Sequence, residues 1–251
     1  MKTDSPPTPA TWLLSQLVIA LLVLPLLLFS SQPGFSQERE SRRDEVIENP
    51  TPEGFSVCWR HGCKELAPVA LTLNEWHQVG QIFSAQANSP TQERERMARA
   101  IGQLEKLVGP KTGTDKDKGG NFSGLFSQGQ MDCVDESINT RTYLKMIQAA
   151  GWLHFHKLTE KGAKRGVSQV YFGWPHQAAL VEEMESGERF VVDSWFHKNG
   201  QPAEIIPLKT WEAGWSPQPP PKHLWLYSGD HETDSWKEET SLEVGPEDLD
   251  A

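Results

Sequence analysis

A chain of 251 residues, with a targeting segment and a polar tail set aside, has room for one domain with its own core. Its formal net charge of −10 excludes the basic surface that nucleic-acid binding selects. Residues 230–251 carry nine acidic side chains against one lysine, so eight of the ten excess negatives sit in the tail and the near-neutral remainder says little about substrate.

In chain order, the first element is an apolar run from Leu17 to Phe29, broken by Pro25, preceded by Lys2 and followed by Ser30, Ser31 and Gly34. This pattern predicts a signal peptide over 1–36, with Gly34 and Ser36 at the small-residue spacing of a cleavage site. Adding Trp12, Leu13 and Leu14 makes residues 12–29 long enough to be retained as a membrane anchor instead. Either way, the remainder is expected in the periplasm or on the extracytoplasmic face of the membrane. No cysteine follows the run closely, which argues against a lipid anchor.

Residues 37–66 read as a polar linker containing Cys58 and Cys63, which an oxidising compartment favours closing into a disulfide loop. Zinc at Cys58, His61 and Cys63 lacks a fourth ligand nearby. Cys133 then remains unpaired, either as a buried inert thiol or as a nucleophile.

The expected domain spans 67–228. Thr72 and Glu75 form a capping box that opens a helix to about Ala85. Ser89, with Pro90 at the first helical position, opens a second helix. Its apolar face is Met97, Ile101, Leu104 and Val108; Glu93 to Arg96 are expected in solvent, and Gly109-Pro110 is expected to end it. Residues 111–130, rich in Gly, Lys, Asp and Ser, read as a long loop.

Next comes MDCVDESINTRTYLKMIQAAG, in which Asp132 is a natural N-cap and the apolar spacing predicts a helix ending near Gly151. Cys133 would occupy its first position, where unpaired N–H groups and the dipole lower a thiol pKa. Asp132 and Asp135 work against that effect. His154 and His156 alternate on a strand but have no third ligand, so they read as a polar strand face, and neither a metal nor a cofactor is implied.

Strand patterns follow over Ser168–Glu183 and Glu188–Phe196, joined by the turn Met184-Glu-Ser-Gly187. A four-residue turn pairs Glu183 with Glu188, which sets Ala178 opposite Asp193 and His176 opposite Trp195. His176 and Asp193 then lie diagonally adjacent on one face, where the imidazole partners a carboxylate too costly to bury alone. Trp174 and Trp195 share that face. Pro217 to Pro221 read as a stiff connector, and 229–251 as an acidic disordered tail.

A cysteine at a helix N-terminus, followed by histidine and aspartate on successive antiparallel strands, resembles the transglutaminase-like superfamily. The string Asp132-Cys133-Val134-Asp135 resembles bacterial transglutaminase-like cysteine peptidases in particular. The resemblance covers about Gln128 to Trp195 and implies an α+β fold with a papain/transglutaminase-like core, the cysteine helix packed on an antiparallel sheet. It implies Cys133 as nucleophile, His176 as general base and acid, Asp193 as the orienting group, and a peptide or protein amide as substrate. The oxyanion would be held by the Cys133 N–H and by Gln128 or Gln130. Some relatives hold calcium with acidic residues on both sides of the cysteine; Asp132 fits that pattern and Val134 does not. The rival expectation is an inactive binding module of the cell envelope. A peptidoglycan hydrolase of the other common exported cysteine class would carry Asp-Cys-Ser-Gly, which this chain lacks.

Thiol titration of the unfolded, unreduced protein is expected to find one thiol, Cys133, of the three cysteines. Finding three in oxidised material would exclude the bridge.

Overall fold

A computed structural model of the protein describes residues 42–120, 128–165 and 175–217. The targeting segment, Trp174 with the strand pattern before it, residues 218–221 of the connector and the acidic tail lie outside them. Among the described residues, no helix is long and apolar enough to cross a membrane.

The chain first forms an antiparallel pair, β1 (Phe55–Trp59) and β2 (Glu65–Val69), with Phe55 opposite Val69 and Cys58 opposite Leu66. Phe55, Val57 and Val69 enter the main core, so this stretch is part of the folded body rather than the end of a linker. The signal missed was the alternation of Phe55 and Val57 with polar neighbours. Cys58 and Cys63 are joined by a disulfide across the turn. Arg60, His61, Gly62 and Cys63 all have positive φ, at 67°, 55°, 75° and 58°. For a non-glycine residue that conformation costs about 1–2 kcal/mol, so the three that flank Gly62 must be held by surrounding contacts.

Two scaffold helices follow. In α1 (Leu73–Gln81) the Thr72–Glu75 capping box is formed in both directions. The helix stops short of Ala85 because the next residues tighten, Phe83 N–H bonding to the Gly80 carbonyl at 2.9 Å. Trp152 stacks on both Trp76 and Phe83 beside this end, with ring centroids 4.7 and 5.2 Å apart. In α2 (Pro90–Thr112) Ser89 caps the Gln92 N–H, and the expected apolar face is buried. The helix does not end at Gly109-Pro110 but continues to Thr112, with Gly113 in the left-handed C-cap conformation. Pro110 forfeits one hydrogen bond, to Lys106, and both residues are exposed, so water can take the freed carbonyl.

Glu93 and Arg96 are buried, contrary to their expected solvent placement. The Glu93 carboxylate accepts the backbone N–H groups of His154, Phe155 and His156 at 2.6–3.1 Å and His156 Nδ1 at 2.9 Å. Arg96 donates to the Ala85 carbonyl. His156 is therefore not on a polar strand face. It is a buried partner that ties α2 to the sheet, with Arg94 bridging its Nε2 and Glu183.

The cysteine helix, α3 (Cys133–Ala149), precedes five strands: β3 (His156–Leu158), β4 (Ala163–Arg165), β5 (His176–Glu183), β6 (Arg189–Asp193) and β7 (Glu204–Pro207). A short helix, α4 (Leu208–Glu212), closes the described chain. All strand pairs are antiparallel in the order β3-β5-β6-β7, with β4 also on β5. Residues alternate between two faces. Ala179, Val181, Phe190 and Val192 meet the helical core of Met97, Ile101, Leu104, Leu144 and Ile147. Ala178, Leu180 and Val191 face Leu208 and Trp211 of α4. The fold is thus α+β.

Because Glu93 holds three N–H groups at the entry to β3, Glu93→Ala is expected to lower the unfolding free energy by about 3–5 kcal/mol at neutral pH in urea melts. Burial pushes its carboxyl up, but the bonds from the His156 ring and from residues 154–156 outweigh this and hold it below 4.5. Its contribution is then fully present above the unfolded value and lost as pH falls through the lowered one, so the two melts should converge in acid. A loss under about 1 kcal/mol would mean this carboxylate is not what anchors β3.

Candidate active site

Cys133 is the first residue of α3 because Asp132 caps it. The Asp132 carboxylate accepts the Val134 and Asp135 N–H groups at 3.0 Å, and Asp135 returns the favour to the Asp132 N–H at 3.1 Å. The thiol is 2 % exposed and lies against the start of β5, its Sγ donating to the Pro175 carbonyl at 3.8 Å and accepting the Gln177 N–H. Burial pushes it up to about 12, with Asp132 adding to the shift, the Gln177 N–H opposing it, and Asp193 and Asp135 raising it further. The expected lowering by the helix terminus is therefore overturned. Capping the helix with a carboxylate places negative charge where the dipole would have favoured a thiolate.

His176 and Asp193 adopt the register that the four-residue turn predicts, with Ala179 opposite Val192 and Glu182 opposite Arg189. His176 Nε2 meets Asp193 Oδ2 at 2.7 Å, both side chains buried. Asp193 Oδ2 also accepts Trp211 Nε1–H at 2.8 Å, and Oδ1 accepts the Trp195 N–H at 3.3 Å. The imidazole is enclosed by the rings of Trp195, Trp211 and Phe196, at 4.8, 5.3 and 5.5 Å. With Nε2 committed to the carboxylate, Nδ1 is the nitrogen left to move a proton.

Sequence reasoning missed Trp211. Its only signal was an indole that, once buried, needs a hydrogen-bond acceptor. Cys133, Trp195 and Phe196 form one buried cluster, with Val134 and Trp215 against it, so thiol and imidazole share two aromatic walls. Strand parity separates them in one respect. Gln177 points to α3 and bonds Ser137 Oγ at 3.1 Å, whereas His176 points to Trp211. The thiol meets the β5 backbone on either side of His176.

Of the two glutamines considered for an oxyanion hole, Gln128 is exposed. Gln130 is buried and closes the preceding loop, donating to the Lys116 carbonyl at 2.9 Å and accepting the Lys118 N–H at 3.4 Å. Behind the site lies a second polar group. Ser194, next to Asp193, donates to Glu136 at 2.6 Å and bonds Thr140 at 3.0 Å. Burial pushes the nearby Glu105 up to about 8 and Asp117 to about 6, and lifts Glu136 well above the usual range. Among the described residues, no three His, Cys, Asp or Glu side chains are arranged to hold a metal ion.

Comparison with protein-family models, curated proteins and solved structures finds no match to this chain.

A thiol titrating near 12 should react in proportion to its small ionised fraction. Alkylation of the folded protein by iodoacetamide is expected to rise about tenfold per pH unit from 7 to 10 with no plateau. A plateau below pH 9 would show that the thiolate is stabilised in the resting protein.

Proposed function

We propose that this protein is an exported cysteine hydrolase or acyltransferase, acting on amide bonds of a peptide or protein through Cys133, His176 and Asp193 on a papain/transglutaminase-like core. One observation carries the reading: a buried imidazole, bonded to an aspartate that Trp211 also holds, shares the walls of Trp195 and Phe196 with an unpaired thiol at a helix N-terminus. The buried His156 is also held by a fixed carboxylate and has a purely structural place, so what distinguishes His176 is the unpaired thiol sharing its aromatic walls. Two further N–H donors on Asp193 suit a general base, whose tautomer and direction must both be set. The Cys58–Cys63 bridge and the apolar run at 17–29 support export, by cleavage after Ser36 or by anchoring through residues 12–29.

Because the resting thiol is neutral, its proton leaves during attack rather than before it. Nδ1 of His176 takes the Sγ proton as sulfur bonds to the carbonyl carbon and the π pair moves to oxygen. The Cys133 backbone N–H, one of the unpaired donors of α3, is available to that oxyanion. Collapse breaks the C–N bond, and the imidazolium gives its proton to the leaving amine. Water, or a second amine, then attacks the thioester with His176 again as base, releasing the acid or the new amide and restoring the thiol. Asp193 stabilises the imidazolium throughout and keeps its own proton balance unchanged.

A catalytically silent binding module of the cell envelope is favoured by one observation: the thiol bonds the strand backbone, not the imidazole, and burial keeps it protonated. Labelling by a thiol-reactive peptide electrophile separates the two readings. The enzyme reading expects Cys133→Ser to abolish labelling, His176→Ala to slow it to the rate of a simple buried thiol, and Asp193→Asn to lower it by about 10⁴-fold. Equal rates for wild type, His176→Ala and Asp193→Asn would leave the binding module.

A further inference from the structure

The disulfide loop and the cysteine helix are joined by more than packing. Asp135 Oδ1 accepts the Cys63 N–H at 2.6 Å, the His61 N–H bonds the same carboxylate, and Oδ2 accepts the Asp132 N–H at 3.1 Å. One carboxylate therefore links the left-handed turn to the residue that caps Cys133. One helical turn further on, Asn139 accepts the Cys58 N–H at 2.7 Å and donates to the Cys58 carbonyl at 2.8 Å. Residues 135 and 139 share a helix face, so each half-cystine is gripped through its backbone by α3. The His61 and Cys63 N–H groups of this turn both reach the Asp135 carboxyl, which burial and the neighbouring Asp132 raise well above the usual range. The bridge itself is fully buried, beyond the reach of a reductase in the folded protein.

We propose that the Cys58–Cys63 loop is a positioning element for the Cys133 thiol, acting through Asp135 and Asn139. The inference rests on the reading of Cys133 as a nucleophile. Without the bridge, only the β1–β2 pairing and the α3 bonds hold this loop; its left-handed residues relax, and the carboxyl holding the Asp132 N–H loses its second anchor. The first turn of α3 then shifts relative to His176, and a shift of about 1 Å at the reacting atom is enough to slow attack about a hundredfold.

Two variants of the full chain test this: Cys58→Ser/Cys63→Ser, and Asp135→Asn, which keeps the bridge. An amide has one acceptor oxygen where the carboxylate has two, so it serves the loop or the N-cap but not both. Inactivation by the peptide electrophile is resolved into half-saturating concentration and limiting rate, iodoacetamide alkylation is followed against pH, and far-UV circular dichroism reports folding. The expected result is a limiting rate about a hundredfold lower with unchanged half-saturation, and alkylation bending to a plateau at lower pH than in wild type. Wild-type limiting rates and alkylation profiles in folded variants overturn the proposal. If the double variant does not fold, Asp135→Asn decides. Failure of the electrophile to label wild type removes the catalytic reading alone. The alkylation profile then still decides positioning, an unchanged profile overturning it and a shifted one sustaining it.

Discussion

At the centre of this protein sits a helix with one half-exposed side that carries Asp135, Glu136, Asn139, Thr140 and Thr142 on buried positions. Each such group costs several kcal/mol if left without a partner, so α3 is tolerated only where neighbours supply bonds on every side. The β1–β2 pair answers Asp135 and Asn139 from one direction. Ser194, at the end of β6, answers Glu136 and Thr140 from another. Thr142 bonds back to the Ile138 carbonyl within the helix. The hairpin and the sheet are thus docked by polar requirement as much as by apolar burial, and both fix the helix whose first residue is Cys133.

The same polar demand shapes the electrostatics. Carboxyls gathered behind the site are driven toward their neutral forms because burial withdraws water and their neighbours are also acidic. At the site itself, Asp132, Asp193 and Asp135 surround a buried thiol. On the proposed catalytic reading, this favours a neutral nucleophile with proton transfer coupled to attack, rather than a standing thiolate–imidazolium pair. Aromatic walls from Trp195, Phe196 and Trp211 exclude water from the imidazole and strengthen its bond to Asp193.

Local chemistry made several elements legible in advance. The capping box at Thr72 and the caps at Ser89 and Asp132 marked three helix starts, because a cap is decided by residues three or four apart. At Ser89 only the forward half of the box read from Gln92 forms, while Asp135 completes one at Asp132. The turn at Met184–Gly187 set the register that brings His176 and Asp193 to one face, since strand parity follows from loop length alone. The spacing of Cys58 and Cys63, taken with the expected oxidising compartment, pointed to the bridge that forms. By contrast, the α2 helix overran Gly109-Pro110 because a proline near a solvent-facing helix end forfeits only one bond.

What the sequence alone determined, then, is where helices begin, which strand residues share a face, and which thiol is left unpaired. Only the tertiary structure decided that Glu93 is buried under the backbone of residues 154–156, that Trp211 reaches Asp193 from beyond β7, and that the Cys133 thiol is raised rather than lowered. The reason is common to all three. Each depends on partners tens of residues away that set burial and local charge, and a pattern of neighbours along the chain does not encode how deeply a group is withdrawn from water or which distant donor meets it there.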